Sequence, residues 1–371
     1  MTAYDGWMTR IAAVHGVLPE HRYRQREITD ALATMCLEGA HDETRERAVL
    51  ERLHATAGVR TRHLVQPLER YAGLDGFGAA NDLFIEEGVR LAERALAAAL
   101  DEAGIAPQEV DLVLATSVTG IAAPSLEARL AGRLGLRPDV KRIPVFGLGC
   151  VAGAAGLARV HDYLEGHPDQ VAVLLSVELC SLTLQRADTS VANLVAGALF
   201  GDGAAALVAV GRHHPRRQEF SGPDVVSTRS RLYPGTERAL GWDIGDSGFS
   251  IVLGAELPEL VRLHLGEEVR SFLAAHDLKP DGVAGWVCHP GGPKVLEALQ
   301  ETLGLGPDAL ELTWRSLAEV GNLSSSSVLH ILRDTLALRP PPPGSPGLLL
   351  ALGPGFSSEV VLLRWQGGGD R

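Results

Sequence analysis

The chain has 371 residues, 46% hydrophobic and 22% charged, with a formal net charge of −12 and a mean hydropathy of +0.08. This is enough apolar material for a large core and for two domain-sized units. The acidic balance leaves no chain-wide footprint for nucleic acid, which is held by neutralising phosphates, and the longest apolar stretches, such as 347–352, fall far short of the roughly 18–20 residues of a membrane span.

At the N-terminus, Asp5, Arg10 and His15 interrupt the apolar residues of positions 1–16. The basic and apolar regions of a signal peptide are missing, and a cytoplasmic location is expected. The cysteines, Cys36, Cys150, Cys180 and Cys288, have no metal-type spacing. Free thiols, no metal and no disulfide are the expectation.

In chain order, a helix-like run over 89–103 leads through Gly104-Ile105-Ala106-Pro107 into the strand-like 110–117, VDLVLATS. Next comes GLGCVAGAAG around Cys150, where an apolar run ends in a Gly-rich turn that opens a helical pattern. The segment ALFGDGAA, with Phe200, then leads into an apolar strand at 207–210. Past residues 211–217, GRHHPRR, which break the apolar pattern, the same order returns. A helix-like run over 260–276 passes through Lys279-Pro280 into VAGWVCH, ending at His289, and VGNLSSSSVLHIL presents Asn322 before a helical pattern. GPGF then leads into an apolar strand at 360–363, with the prolines 341–343 as a short rigid connector. Strands apolar on both faces that alternate with helices indicate buried sheets between helix layers. The chain reads as a duplicated α/β protein whose halves are 1–220 and 221–371.

Cys150, His289 and Asn322 are widely separated, yet each sits in a Gly- or Ser-rich turn after an apolar run, where a strand end can present a reactive group. A cysteine attacks as its thiolate, and a helix N-terminus with a nearby histidine can lower its pKa. Standing alone, Cys150 would more often be a buried structural thiol, His289 a satisfied core histidine and Asn322 a helix cap. Together they suit acyl transfer from a thioester. The cysteine holds the acyl group, while histidine and amide donors stabilise the enolate left when a malonyl thioester loses CO2. That chemistry is a decarboxylative Claisen condensation.

At these residues, and in HPGGPKVLEAL, GNLSSSSVL, ALFGDGAAAL and GPGF, the chain resembles the type III polyketide synthases of the chalcone synthase superfamily over most of its length. The resemblance implies the duplicated thiolase fold, a five-layer αβαβα arrangement of two similar halves, with Cys150, His289 and Asn322 as the catalytic triad. It implies two gating phenylalanines, Phe200 and Phe249, and a cavity lined by Thr116, Ser117, Cys180, Thr183 and Ser324. Arg52 matches a coenzyme A contact. Coenzyme A thioesters are the implied substrates, malonyl-CoA and an acyl-CoA starter, with no separate cofactor. Such enzymes are homodimers, and residues 120–125 resemble the loop that reaches the neighbouring subunit. The segment ELCSLT around Cys180 is similar to the bacterial branch that includes alkylresorcinol and alkylpyrone synthases. It points to a medium or long fatty acyl starter and closure to a pyrone or resorcinol. A malonyl-primed tetrahydroxynaphthalene-type synthase is the alternative, since a cysteine at this position occurs there too. A 3-oxoacyl-acyl carrier protein synthase III shares the fold and triad but accepts a carrier-bound malonyl group. A noncatalytic thiolase-fold partner would not need all three triad residues.

Overall fold

The computed structural model describes residues 8–37 and 42–366. Its strands are β1 Thr9–Val17, β2 His21–Arg24, β3 Thr61–Leu64, β4 Val110–Thr116, β5 Lys141–Val145, β6 Val171–Leu179 and β7 Asp202–Val210, followed by β8 Asp224–Leu232, β9 Leu240–Gly245, β10 Gly248–Leu253, β11 Gly285–Cys288, β12 Pro346–Gly353 and β13 Ser357–Arg364. Every residue of β4, β6 and β7 is buried. Their near-continuous apolar sequences follow from that burial, because strands covered by helices on both faces have no solvent side to keep polar.

Nine strands hydrogen-bond in the order β11-β12-β13-β8-β1-β7-β6-β4-β5. First-half and second-half strands meet where Thr9 pairs with Val225. Between the halves the chain passes through residues 211–223, from the end of β7 to the start of β8.

Three core clusters account for five layers. The first lies between β1, β4, β6 and β7 and the helix Gly76–Ala103, which inserts Leu91, Ala92, Ala95, Leu96, Ala99 and Leu100. That helix stops at Gly104, whose φ of +60° is the left-handed cap only glycine adopts without strain. The third cluster is central. It joins alternate residues from both halves, among them Leu112, Leu174, Leu207, Leu349 and Val361, to the helices Ala152–Gly166 and Ser327–Leu338. The remaining cluster covers the outer face of the second half with the helices Gly266–Ala274 and Pro293–Leu303. Each fully buried leucine or valine contributes about 1.5–3 kcal/mol. The layers are helix, sheet, central helices, sheet, helix, as the thiolase resemblance implied. No described helix is long and apolar enough to cross a membrane.

The helix-like run at 89–103 is the C-terminal part of a helix that starts at Gly76. The run at 260–276 is interrupted by a π-helical turn at Val261–Leu265. A hairpin, β9 with β10, stands apart from the main sheet and folds over the site.

Candidate active site

Two central-layer helices and the end of β12 assemble the site. Cys150 sits in a single 3-10 turn, Gly149–Val151, that runs into the helix Ala152–Gly166. Gly149 has φ +57°, and a Cβ on it would come within 2.7 Å of Pro354 Cδ. A Cβ on Gly153 would collide with the Ser325 carbonyl. The small residues after Cys150 are therefore what let this helix start against the serine-rich turn. Gly353, at the end of β12, packs on the same turn, since its Cβ would lie 2.7 Å from Val151 N. His289 follows β11, which pairs with β12, and its N–H donates to Leu350 O at 2.8 Å. The β12 end thus carries His289 on one side and abuts the cysteine turn on the other.

Asn322 reaches the site by a different route. Its N–H donates to Leu199 O at 2.8 Å and its carbonyl accepts from Gly201 N at 3.0 Å, a short parallel bridge that ties it to Phe200. Its side-chain Oδ1 accepts from Ser324 N at 2.8 Å. The amide oxygen holds the turn, and none of the hydrogen bonds formed among the described residues uses the amide NH2, which remains available as a donor. Ser324, held at φ +50°, accepts from the Cys150 thiol at 3.6 Å and donates to Glu178 Oε1 at 3.3 Å.

Glu178 is the hub behind the cysteine. Fully buried, it also accepts from Ser325 Oγ on Oε1, and from Val118 N at 3.1 Å and Thr119 Oγ1 at 2.9 Å on Oε2. Burial raises its carboxyl pKa, and these hydrogen bonds offset part of the rise. A single acidic residue inside the apolar run VAVLLSVEL was the sequence signal for it.

Burial also decides the protonation states. It pushes the Cys150 thiol up to about 12, against the Ser324 hydrogen bond, with the Glu178 charge adding to the rise. It pulls His289, whose Nδ1 is buried without a partner, down to about 3. Burial thus favours the thiol and the neutral imidazole over their charged forms. This reverses the expectation of a lowered cysteine pKa, because desolvation of the charged forms outweighs a helix terminus of small residues. A neutral imidazole retains a lone pair to take the thiol proton during attack.

The cavity in front of Cys150 encloses about 90 Å³. Its lining includes Phe200, Cys180, Thr183 and Ser324. His289 and Asn322 are buried, 4% and 1% exposed, and are not among the residues that line it. Two expectations are corrected. Thr116 and Ser117 line a separate pocket with Phe84, Ile121 and Phe146, because β4 continues through Thr116 and Ser117 Oγ turns to Glu178 at 3.4 Å. The next two residues, Val118 and Thr119, face the Cys150 cavity instead. Phe249 is buried in an aromatic cluster with Phe77, Phe146 and Trp242, at centroid distances of 5.3, 6.0 and 5.8 Å. On the β9–β10 hairpin it is Leu240, Gly241, Trp242 and Ile251 that face the cavity. Arg52 is exposed on the helix Glu43–Thr56, outside the cavity lining. The four cysteines are free thiols. Among the described residues no cluster of three or more His, Cys, Asp or Glu could hold a metal ion.

This arrangement of nucleophile, proton acceptor and amide donor has relatives. Residues 3–213 match the N-terminal domain of the chalcone and stilbene synthases, and residues 224–366 match the C-terminal domain. A 1,3,6,8-tetrahydroxynaphthalene synthase from Streptomyces peucetius subsp. caesius is 60% identical, over 96% of this chain and 93% of its own. A putative chalcone synthase from Bacillus subtilis is 36% identical over 84% of this chain and 87% of its own. The solved structure of 1,3,6,8-tetrahydroxynaphthalene synthase from Streptomyces coelicolor superposes with a TM-score of 0.88 at 30% identity, covering 96% of this chain and 99% of that one.

Proposed function

Since the chain belongs to the chalcone and stilbene synthase family of type III polyketide synthases, we propose that it builds 1,3,6,8-tetrahydroxynaphthalene from malonyl-CoA alone, with one malonyl unit as starter. The observation that carries this reading is the 60% identity to a tetrahydroxynaphthalene synthase over 96% of the chain. Thr119, Cys180, Ser181, Thr183 and Asn193 are polar positions among the mainly apolar walls of the Cys150 cavity. The fatty acyl starter read from the Cys180 segment gives way to this alternative, because the same segment now stands in a chain similar throughout to a malonyl-using relative.

In the proposed cycle the Cys150 sulfur attacks the malonyl-CoA thioester, a new C–S bond forms, coenzyme A leaves, and His289 carries the thiol proton to it. A second malonyl-CoA loses CO2. The electron pair of the broken C–C bond becomes an enolate whose oxygen accepts hydrogen bonds from His289 and the Asn322 NH2. Its carbon attacks the Cys150 thioester, forming a C–C bond and releasing the cysteine for reloading.

Mass spectrometry of products tests the assignment. The purified protein is expected to yield tetrahydroxynaphthalene or its oxidation product from malonyl-CoA alone. Alkylpyrones or alkylresorcinols formed only when fatty acyl-CoA is added would restore the fatty acyl reading, and a requirement for malonyl-carrier protein would favour the carrier-dependent synthase.

The protein is also proposed to act as a homodimer. β5 is the outermost strand of the sheet, and close to it Ile121, Ile143, Phe146 and Leu148 are 48%, 42%, 47% and 37% exposed. An unpaired strand edge with an apolar patch is a surface that calls for a cover. Sedimentation velocity at micromolar concentration is expected to give a dimer, and a monomer there would remove this part of the reading.

A further inference from the structure

Arg62 is a buried cation that the condensation scheme leaves without a task. It stands on β3, is 2% exposed, and contributes to the lining of the Cys150 cavity. Burial lowers its pKa to about 10, so it stays charged at neutral pH. Among the described residues no carboxylate pairs with it by direct hydrogen bond. The neighbouring Asp202 commits its oxygens to Val65 N at 2.7 Å, Ser181 N at 2.8 Å and Ser181 Oγ at 2.5 Å. Asp202 supplies a nearby opposite charge without bonding it directly, so the guanidinium's own hydrogen bonds indicate what it does there.

Its Nη1 donates to Phe200 O at 2.7 Å, its Nε donates to Gln25 Oε1 at 3.2 Å, and Nη2 is buried without a partner. A Cβ on Gly201 would lie 3.6 Å from Arg62 Cβ, and one on Gly321 would lie 3.0 and 3.1 Å from Arg62 Cγ and Cδ. Gly201 and Gly321 flank the bridge that joins Phe200 to Asn322. The arginine stem therefore lies along this bridge, packed where only glycine leaves room, and its head grips the bridge from behind.

We propose that Arg62 is a positioning residue for decarboxylation: by holding the Phe200–Asn322 bridge it fixes the angle at which the Asn322 amide meets the enolate oxygen. The role rests on reading Asn322 as the enolate donor. Formation of the Cys150 thioester does not need that donor, so the two half-reactions respond differently to the loss of Arg62.

The test uses the full-length protein with malonyl-CoA as the only substrate, and follows the acyl adduct on Cys150 by intact mass and decarboxylation by CO2 release. Arg62→Met is expected to load Cys150 at the parental rate while decarboxylation falls on the order of 10²-fold, the scale of a catalytic group misplaced by about 1 Å. Arg62→Lys keeps the charge without the fork and is expected to recover part of that loss. Decarboxylation unchanged in Arg62→Met overturns the proposal, and so does a fall in both rates by the same factor, which marks a general brace. Should Arg62→Met fail to fold, Gln25→Ala releases Nε while leaving the cation in place. A selective loss of decarboxylation in that variant supports the proposal, and equal or absent effects overturn it. Asn322→Ala run alongside separates the two readings. If it decarboxylates normally, the reading of Asn322 fails and this one with it; if it is slow and Arg62→Met is not, the role of Arg62 alone fails.

Discussion

Cys150→Ala protein, given malonyl-CoA, is expected to gain no acyl mass and to release no aromatic product. The side chain is the only thiol in the 3-10 turn between Gly149 and Val151, and it is held against Ser324 at 3.6 Å. Cys180 shares the cavity, but burial and the nearby Glu178 and Asp202 charges raise its pKa well above the ordinary thiol value. Because burial raises the Cys150 thiol as well, the site of the adduct found by peptide mapping, and not the pKa, tells the two thiols apart. Removing a nucleophile deletes the covalent route altogether, whereas removing a donor only slows it. Cys150→Gln sharpens the test. An amide there cannot be acylated, yet it leaves His289 and Asn322 in place, so CO2 should still be released from malonyl-CoA without condensation. An acyl adduct on the alanine variant that maps to the Cys150 peptide's neighbours, together with product, would show that another group is the nucleophile.

Asn322→Ala is expected to slow decarboxylation by about 10²- to 10³-fold, the usual cost of one oxyanion-hole donor. The variant should also lose about 1–3 kcal/mol of stability, because Oδ1 now satisfies the buried Ser324 N–H. The two effects have separate readouts, CO2 release by the folded protein and the denaturant midpoint. A lower midpoint with an unchanged rate per folded molecule would reduce Asn322 to a turn residue. That outcome would leave His289 as the sole enolate donor of the proposed cycle.

The reach of sequence reasoning can be traced at particular residues. The turns at Gly149-Cys150, Cys288-His289 and Gly321-Asn322 were legible because turn chemistry is a local property, although only His289 follows a buried strand and Asn322 follows the helix Glu311–Val320. The repeat of their order announced two like halves. The alternation that makes Leu174 and Leu349 face the same central helices is also written in the chain. Three things were not legible. Which of Thr116, Ser117, Val118 and Thr119 would face the cavity depends on where β4 ends and on Glu178, a residue from another strand that draws Ser117 away. Whether Phe249 or Trp242 meets substrate depends on how a hairpin folds over the site.

The protonation states belong with these. A sequence places a cysteine at a helix start beside a histidine, and the local rule then lowers the thiol pKa. Only the packed structure shows both groups desolvated, with Glu178 adding its charge, so that the thiol rises and the imidazole falls. By itself, then, the sequence marked the candidate triad, the order of elements and the duplicated fold, since each follows from hydrophobic period and turn residues near at hand. The tertiary structure alone decided the packing of the Cys150 turn against the end of β12, the contacts of Arg62 with the Phe200–Asn322 bridge and the direction in which burial shifts each group, because register, close packing and desolvation arise from neighbours distant in the chain.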